Sequence, residues 1–104
     1  MLYTSAVVLE PPHAHLTVTG ELDLGSTRDV RRHVDLAVAD GRTEITVDAQ
    51  GVTFIDAAGL APFVRLRNAT VAGDGVLTFV GVSGAFARVC RMTNLEAAFG
   101  LAGV

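Results

Sequence analysis

The chain has 104 residues, of which 50% are hydrophobic and 18% are charged, and its formal net charge at pH 7 is −3. This length is near that at which a single hydrophobic core becomes reliable, so we expect one domain over residues 1–104, and the apolar content argues against intrinsic disorder. All eight basic residues are arginines and they form no basic stripe, which makes nucleic acid a poor candidate partner.

The apolar residues are not grouped as a membrane protein requires. The longest stretch without a charged residue covers residues 75–87, whereas a membrane-spanning helix needs about 20 apolar residues. Residues 1–5 have no basic group before the apolar positions and no clear cleavage site, so a secretion signal is not expected. We therefore expect a soluble protein of the cytoplasm.

Two strands are predicted at the beginning of the chain. Residues 6–9 form a short apolar run, which the two following prolines should end because proline supplies no donor to a β-ladder. Apolar and polar residues alternate over 14–19, which predicts a strand with one covered face and one polar face. We expect Gly20 to open a loop that carries residues 21–25.

Ser26 or Gly25 is predicted to cap the first helix. Asp29 then falls in the first turn, near the positive end of the helix dipole. Asp40 and Gly41 should end the helix, because glycine readily adopts the left-handed conformation of the C′ position. The apolar positions at helical spacing are Val30, Val34, Ala37 and Val38.

A strand predicted over residues 43–48 leads into a strand–loop–helix corner at 56–60. Asp56 stands where an N-cap would stand, since a carboxylate there can accept from free backbone N–H groups. The 20–25 loop and this corner both follow strands and precede helices, so a sheet with parallel crossovers places them at the same end. The sequence therefore predicts a helix N-terminus beside an acidic loop.

Pro62 complicates the start of this second helix. If the helix began directly after Asp56, the proline would lie inside it and remove a backbone donor, at a cost of about 3 kcal/mol. We therefore expect an irregular first turn, with the regular helix beginning near Gly59 or Leu60 and ending at 72–73.

The remainder of the chain predicts one more strand and two helices. Residues 76–80 are nearly continuously apolar, which is typical of an interior strand buried on both faces. Ser83 can cap a third helix that contains Phe86 and Cys90, and a short helix over about 95–99 is expected to close the chain. The predicted order is β-β-α-β-α-β-α-α.

Few residues are candidates for metal binding or catalysis. Cys90 has no second cysteine to form a disulfide or a metal site, so it is either a small buried hydrophobe or a redox thiol. His13 and His15 can face one side of a strand, but two histidines without a third ligand make a poor metal site. The sequence has no phosphate loop, nucleophile elbow or zinc-protease motif. We expect no enzymatic activity, no cofactor and no metal.

Four segments, in this order, resemble the landmarks of an STAS domain. They are Gly-Glu-Leu-Asp at 20–23, Phe-Ile-Asp-Ala-Ala-Gly-Leu at 54–60, Val-Gly-Val-Ser at 80–83 and Thr-Asn-Leu at 93–95. The resemblance covers nearly the whole chain and implies an α/β fold, a small mixed sheet of four or five strands flanked by about four helices. Such domains form bacterial anti-sigma factor antagonists and also occur in sulfate transporters and stress-signalling complexes.

The resemblance implies a protein-binding module that sequesters an anti-sigma factor, a serine kinase with an ATPase fold, and thereby releases a sigma factor for transcription. In members controlled by phosphorylation, the corner resembles Asp-Ser-Ser-Gly-Leu and its second serine is phosphorylated. Ala58 occupies that position here and has no hydroxyl group. The residues implied to bind the partner are Glu21, Asp23, Leu24, Asp56, Ala57, Ala58, Gly59 and Leu60, with Arg65 and Arg67 at the rim.

Other interpretations of the same residues remain open. One alternative is that Asp23 has no role beyond forming its turn, and that Asp56 has no role beyond capping its helix. The hydroxyl groups near the same end are candidate replacement phosphoacceptors, although capping or turn roles explain them more simply. They are Ser26, Thr27, Thr53 and Ser83. The alternatives for the whole protein are a sensor of a nucleotide or other anion, bound at the helix N-terminus, and an accessory subunit of a transport or stress-signalling assembly.

Overall fold

The computed structural model describes residues 2–39 and 44–101, and within these ranges it contains four β-strands, three α-helices and one turn of 3-10 helix. The strands are β1 (Tyr3–Glu10), β2 (His13–Leu22), β3 (Glu44–Ile55) and β4 (Val76–Val82). The helices are α1 (Thr27–Val38), α2 (Ala57–Ala72) and α3 (Gly84–Met92), and the 3-10 turn Leu24–Ser26 precedes α1. None of the helices in the described residues is long and apolar enough to cross a membrane.

The strands form one mixed sheet in the order β1-β2-β3-β4. β1 pairs with β2 in antiparallel orientation, while β2 with β3 and β3 with β4 are parallel pairs connected through α1 and α2. Burial alternates along β1, over residues 13–18 of β2, over residues 44–49 of β3 and over residues 76–81 of β4, so the helices cover one face of the sheet and the other face is open. The predicted α/β class, the mixed sheet and the covered face of residues 14–19 are confirmed.

Two strands continue further than the sequence predicted. A loop was expected to open at Gly20 and β3 was expected to end at residue 48, but β2 runs to Leu22 and β3 to Ile55. Gly20 lies within β2 at φ +85°, beside a shift in the strand register, and a Cβ atom there would stand 2.3 Å from the Leu2 carbonyl oxygen. The glycine therefore bends a strand that continues, and does not end it.

β4 corrects the prediction of an interior strand over 76–80. It lies at the edge of the sheet, and its outer valines Val76 and Val80 are 61% and 59% exposed. Within residues 76–80, only the alternate residues Leu77 and Phe79 pack against the core. A continuous apolar run indicates that its residues favour a strand, but it does not show whether that strand pairs with one neighbouring strand or with two.

The segment that follows α3 differs from prediction, whereas the start of α3 does not. The Ser83 hydroxyl caps α3 as predicted, accepting from the Phe86 N–H at 3.1 Å. The expected closing helix is replaced by hydrogen-bonded turns over 95–101, in which the Leu101 N–H donates to the Glu96 carbonyl at 2.7 Å. The predicted end of α1 at residues 40–41 lies outside the described residues.

Four phenylalanines join the helices to the edge strand. The rings of Phe63 from α2 and Phe86 from α3 meet edge to face, with centroids 5.4 Å apart and planes at 86°. Phe79 from β4 lies 5.5 Å from Phe86 and 5.0 Å from Phe99, measured between centroids. Such ring pairs contribute about 0.5–1.5 kcal/mol each beyond the area they bury. The cluster therefore fixes α2, α3 and β4 relative to one another.

Cys90 lies fully buried in this core, which confirms the interpretation as a small buried hydrophobe. Burial away from water, with a smaller effect of the Glu96 carboxylate, raises the pKa of its thiol to about 11. At pH 8 only about one thiol in a thousand is then ionised, and the thiolate is the reactive form.

We expect Cys90 to resist iodoacetamide at pH 8 in the folded protein and to react rapidly once denaturant unfolds it, because unfolding restores both access and an ordinary pKa. Mass spectrometry of the alkylated chain measures both rates. Alkylation of the folded protein as fast as of the unfolded protein would show that the thiol is accessible.

Candidate functional site

The C-terminal ends of β2 and β3 lie side by side, which brings the segment after β2 against the start of α2. Leu22 pairs in register with Ile55, and the Asp56 N–H donates to the Leu22 carbonyl oxygen at 3.3 Å. The prediction that the 20–25 loop and the 56–60 corner lie at the same end of the sheet is therefore confirmed. The strand extension is what joins them, since the ladder continues up to the residues that precede the corner.

Asp56 caps α2 from its predicted position. Its Oδ1 accepts from the Gly59 N–H at 2.9 Å, and its carbonyl accepts the regular helical bond from the Leu60 N–H at 3.0 Å. The helix begins at Ala57, so the expected delay of its start to Gly59 or Leu60 is wrong. Pro62 removes the backbone bond to the carbonyl of half-buried Ala58, and the Asp56 cap contributes about 1 kcal/mol to the first turn of the same helix.

Asp23 and Ser26 lock the short 3-10 turn between β2 and α1. The Asp23 Oδ1 accepts from the Gly25 N–H at 2.9 Å, while the Ser26 hydroxyl accepts from the Asp23 N–H at 3.1 Å and donates to the Asp23 carbonyl at 3.0 Å. This reciprocal arrangement is a capping box. The turn-forming role of Asp23 is confirmed, and the turn holds the Leu24 side chain outward, where it is 76% exposed.

Gly59 sets the distance between the helix and the loop. A Cβ atom at this position would stand 2.1 Å from the carbonyl oxygen of Leu22, a backbone atom. Only a residue without a side chain allows this approach. The sequence interpretation of Gly59 as a point of close backbone approach is confirmed.

The residues proposed to bind a partner divide by exposure. Leu24 and Ala57 are exposed. The half-buried ones are Glu21, Asp23, Asp56 and Ala58. Gly59 and Leu60 are buried, so neither can touch a partner through a side chain, and they act by positioning the corner. We call the six accessible residues Glu21, Asp23, Leu24, Asp56, Ala57 and Ala58 the docking surface.

The candidate phosphoacceptors are mostly engaged in local structure. The Ser26 hydroxyl is 1% exposed and hydrogen-bonded, which leaves a kinase no access to it. Thr27 donates to the Leu24 carbonyl at 2.8 Å, and Ser83 caps α3. Thr53 is exposed on β3. The capping and turn roles are thus confirmed for Ser83 and Thr27.

A groove of about 900 Å³ runs between α1 and α2 and reaches the docking surface at Leu24 and Ala58. The groove was not predicted from the sequence, although Arg28, Arg31 and Arg32 lie at positions i, i+3 and i+4 of the first predicted helix and so share one side of it. Its apolar lining is Leu24, Leu36, Ala58, Ala61 and Pro62. Its polar lining is Thr27, Arg28, Arg31, Arg32, Asp35 and Arg65.

The two arginines proposed for the rim behave differently. Arg65 lines the groove, where its Nε donates to Asp35 Oδ1 at 2.8 Å and so connects α2 to α1. Arg67 instead contacts its neighbour Asn68, with Nη1 and Oδ1 3.3 Å apart, and does not line the groove. Of these two arginines, Arg65 therefore lines the groove and Arg67 does not.

His13 and His15 lie on the open face of the sheet, away from the docking surface. His13 contacts Glu44, with Nδ1 and Oε2 3.0 Å apart, and His15 shares a hydrogen bond with Thr46. Both are exposed, as expected for strand residues in contact with solvent. Across residues 2–39 and 44–101, no three His, Cys, Asp or Glu side chains are arranged to hold a metal ion.

Comparison with known proteins relates nearly all of the chain to a described family. A family model described as Mlab, STAS domain, matches residues 5–102. The anti-sigma-B factor antagonist of Staphylococcus aureus is 30% identical over 79 residues, which cover 76% of this chain and 73% of that protein.

Solved structures show the same fold. An anti-sigma factor antagonist from Mycobacterium paratuberculosis superposes with a TM-score of 0.82 at 21% identity, over 99% of this chain and 87% of that one. The anti-sigma factor antagonist SpoIIAA in its unphosphorylated form gives a TM-score of 0.78 at 16% identity, over 92% of this chain and 85% of that one. At these identities the likeness establishes the architecture.

We expect the substitution Gly59→Ala to lower the free energy of unfolding by about 1–3 kcal/mol, because the added methyl group must push α2 away from the Leu22 carbonyl. Urea denaturation followed by circular dichroism measures the change. Gly84→Ala in the first turn of α3 is the matched control, since a Cβ atom there meets nothing within 4 Å. The control should be neutral or stabilising by up to about 1 kcal/mol, and equal unfolding midpoints for the two variants would contradict the proposed contact.

Proposed function

Because the chain belongs to the STAS domain family, we propose that it is an anti-sigma factor antagonist that sequesters an anti-sigma factor and thereby releases a sigma factor for transcription. The match of residues 5–102 to the family and the relationship to the antagonist of Staphylococcus aureus support this proposal. The partner is expected to be an anti-sigma factor with the ATPase fold of a serine kinase, and the contact is expected to be made by the docking surface.

The observation that supports the proposal most directly is the exposed apolar side chain of Leu24, which lies where the turn after β2 meets the start of α2. Leu24 projects from a turn whose hydrogen bonds are internally satisfied, and it lies at the end of the sheet where α2 begins. Ala57 and Ala58 add a small uncharged surface at the first turn of α2. An exposed aliphatic side chain held on a rigid turn and surrounded by polar groups is suited to act as an anchor in a protein interface.

We further propose that phosphorylation at position 58 does not control binding by the docking surface. Ala58 matches the second serine of the Asp-Ser-Ser-Gly-Leu pattern and cannot accept a phosphoryl group. A phosphoryl group would add about −1.5 to −2 charges to this surface and oppose its burial against a partner. With alanine, the surface stays in the state that unphosphorylated relatives present.

The alternative of an anion sensor at the start of α2 is opposed by the Asp56 carboxylate. That carboxylate already accepts the hydrogen bond from the Gly59 N–H. A nucleotide phosphate would therefore be repelled by a negative charge at the helix N-terminus, the end of a helix that otherwise attracts anions. Binding of a protein through Leu24 and the alanines meets no such repulsion.

We expect Ala58→Glu to weaken binding to the cognate anti-sigma factor at least tenfold, because a carboxylate would lose its hydration at the interface. Ala72→Glu makes the same chemical change at the other end of α2, about 21 Å away along the helix. This control should bind within a factor of two of the unchanged protein. Isothermal titration with purified anti-sigma factors of the source genome measures both, and an undiminished affinity for Ala58→Glu would remove the docking surface from the interface.

We expect no incorporation of radioactive phosphate when the unchanged protein is incubated with ATP and its anti-sigma factor. The variant Ala58→Ser restores a hydroxyl group in the first turn of α2 and should accept label. Stoichiometric label on the unchanged protein, for instance at exposed Thr53, would overturn the proposal of an unswitched surface.

A further inference from the structure

The groove between α1 and α2 differs in charge from the rest of the chain. It is lined by four arginines and one acidic residue, Asp35, whereas the chain as a whole has a net charge of −3. Four of the eight basic residues therefore border one groove, and the acidic residues lie mainly elsewhere. A concentration of one sign of charge along a concave surface attracts a partner of the opposite sign.

Two of these arginines have no counter-charge among the residues that the structure describes. Arg65 is paired with Asp35 at 2.8 Å, and Arg32 approaches Asp29 at 3.9 Å. Arg28 and Arg31 are exposed and form no ion pair with any residue of the ranges 2–39 and 44–101. Their guanidinium groups are thus available to carboxylates of another molecule.

Five of the eleven residues that line the groove are apolar, and this apolar part is continuous with the docking surface. Leu36 is 44% exposed at one end, Ala61 and Pro62 line the α2 side, and Leu24 and Ala58 belong to both the groove and the docking surface. A partner that covers the docking surface therefore also reaches the groove. The occupant therefore needs an apolar face to contact these residues and acidic groups to contact the arginines of α1.

The spacing of the rim favours a helix as that occupant. Arg28 and Arg32 are separated by one turn of α1, and the lining continues to Leu36, a span of about 12 Å or two turns. A helix laid along the groove presents side chains at the same one-turn interval. A small anion fits less well, because the guanidinium groups are exposed and would leave it in contact with water.

We propose that the groove between α1 and α2 receives an amphipathic helix of the partner protein, with apolar residues along one face and aspartate or glutamate along the flank that meets Arg28 and Arg31. This inference rests on the proposed function, since it names the chemistry by which the anti-sigma factor is held beside the docking surface. The groove supplies charge selection, while Leu24 and the alanines supply the apolar contact.

The first test uses a synthetic amphipathic peptide of about 15 residues, a length at which an isolated helix is marginal and binding can stabilise it. The peptide carries leucines on one face and glutamates on its flanks, and a matched peptide carries lysine at every glutamate position. Amide chemical shifts of the labelled protein report where each binds. Shifts confined to α1, α2 and residue 24, with the acidic peptide alone, are expected; shifts elsewhere, or equal binding of the lysine peptide, overturn the proposal.

The second test compares two charge-removing double variants. Arg28→Gln with Arg31→Gln should weaken binding of the acidic peptide and of the anti-sigma factor about five- to tenfold, and about 1 M salt should remove the difference. Arg88→Gln with Arg91→Gln removes the same charge from the exposed surface of α3 and should change affinity less than twofold. Similar losses for the two pairs would show that net charge alone matters, and the groove would have no special role.

The two proposals fail in different ways. If no anti-sigma factor of the source genome binds the unchanged protein while the acidic peptide still maps to the groove, the proposed function is wrong and the groove serves another protein. If an anti-sigma factor binds and the Arg28, Arg31 variant binds it equally well, the proposed function stands and the groove inference is overturned. Unchanged thermal unfolding midpoints in both double variants exclude loss of folding as the cause.

Discussion

The close contact between the start of α2 and the end of β2 is the constraint on which the functional surface depends. The Leu22 carbonyl accepts the Asp56 N–H and lies where a side chain at position 59 would stand. This contact is possible because β2 and β3 remain paired as far as Leu22 and Ile55. Two segments that are more than thirty residues apart in the chain therefore form one rigid surface, with Leu24 on one part and Ala57 on the other.

The local physics of this end of the sheet explains why it can be both rigid and exposed. Asp23, Ser26 and Asp56 satisfy the backbone groups that a loop and a helix end would otherwise leave to solvent or to a ligand. The polar side chains are thus used internally, while the aliphatic and small residues face outward. A surface of this kind suits recognition of a protein better than capture of a small polar molecule.

Sequence patterns predicted the elements well where one local rule dominates. The alternation over 14–19 determined the covered face of β2, and the position of Asp56 before a helix determined its cap. The patterns gave wrong predictions where the structure depends on packing between residues that are far apart in the sequence. Nothing local to Val76 or Val80 shows that β4 has a neighbour on one side only, and the local cost of Pro62 does not include the compensation that its surroundings provide. The arginine groove was missed because it exists only when α1 and α2 are placed side by side.

The edge position of β4 has a consequence for the behaviour of the protein at high concentration. Within the described residues, the β4 side that faces away from β3 has no partner strand, and Val76–Val82 includes no charged residue and no proline. Charges, prolines and bulges are the usual devices that keep free edges of sheets from pairing with other chains. The register shift beside Val80 is one such irregularity in β4, whereas charge and proline are missing from the strand. A lysine introduced in place of an outward valine would therefore add protection against intermolecular strand addition.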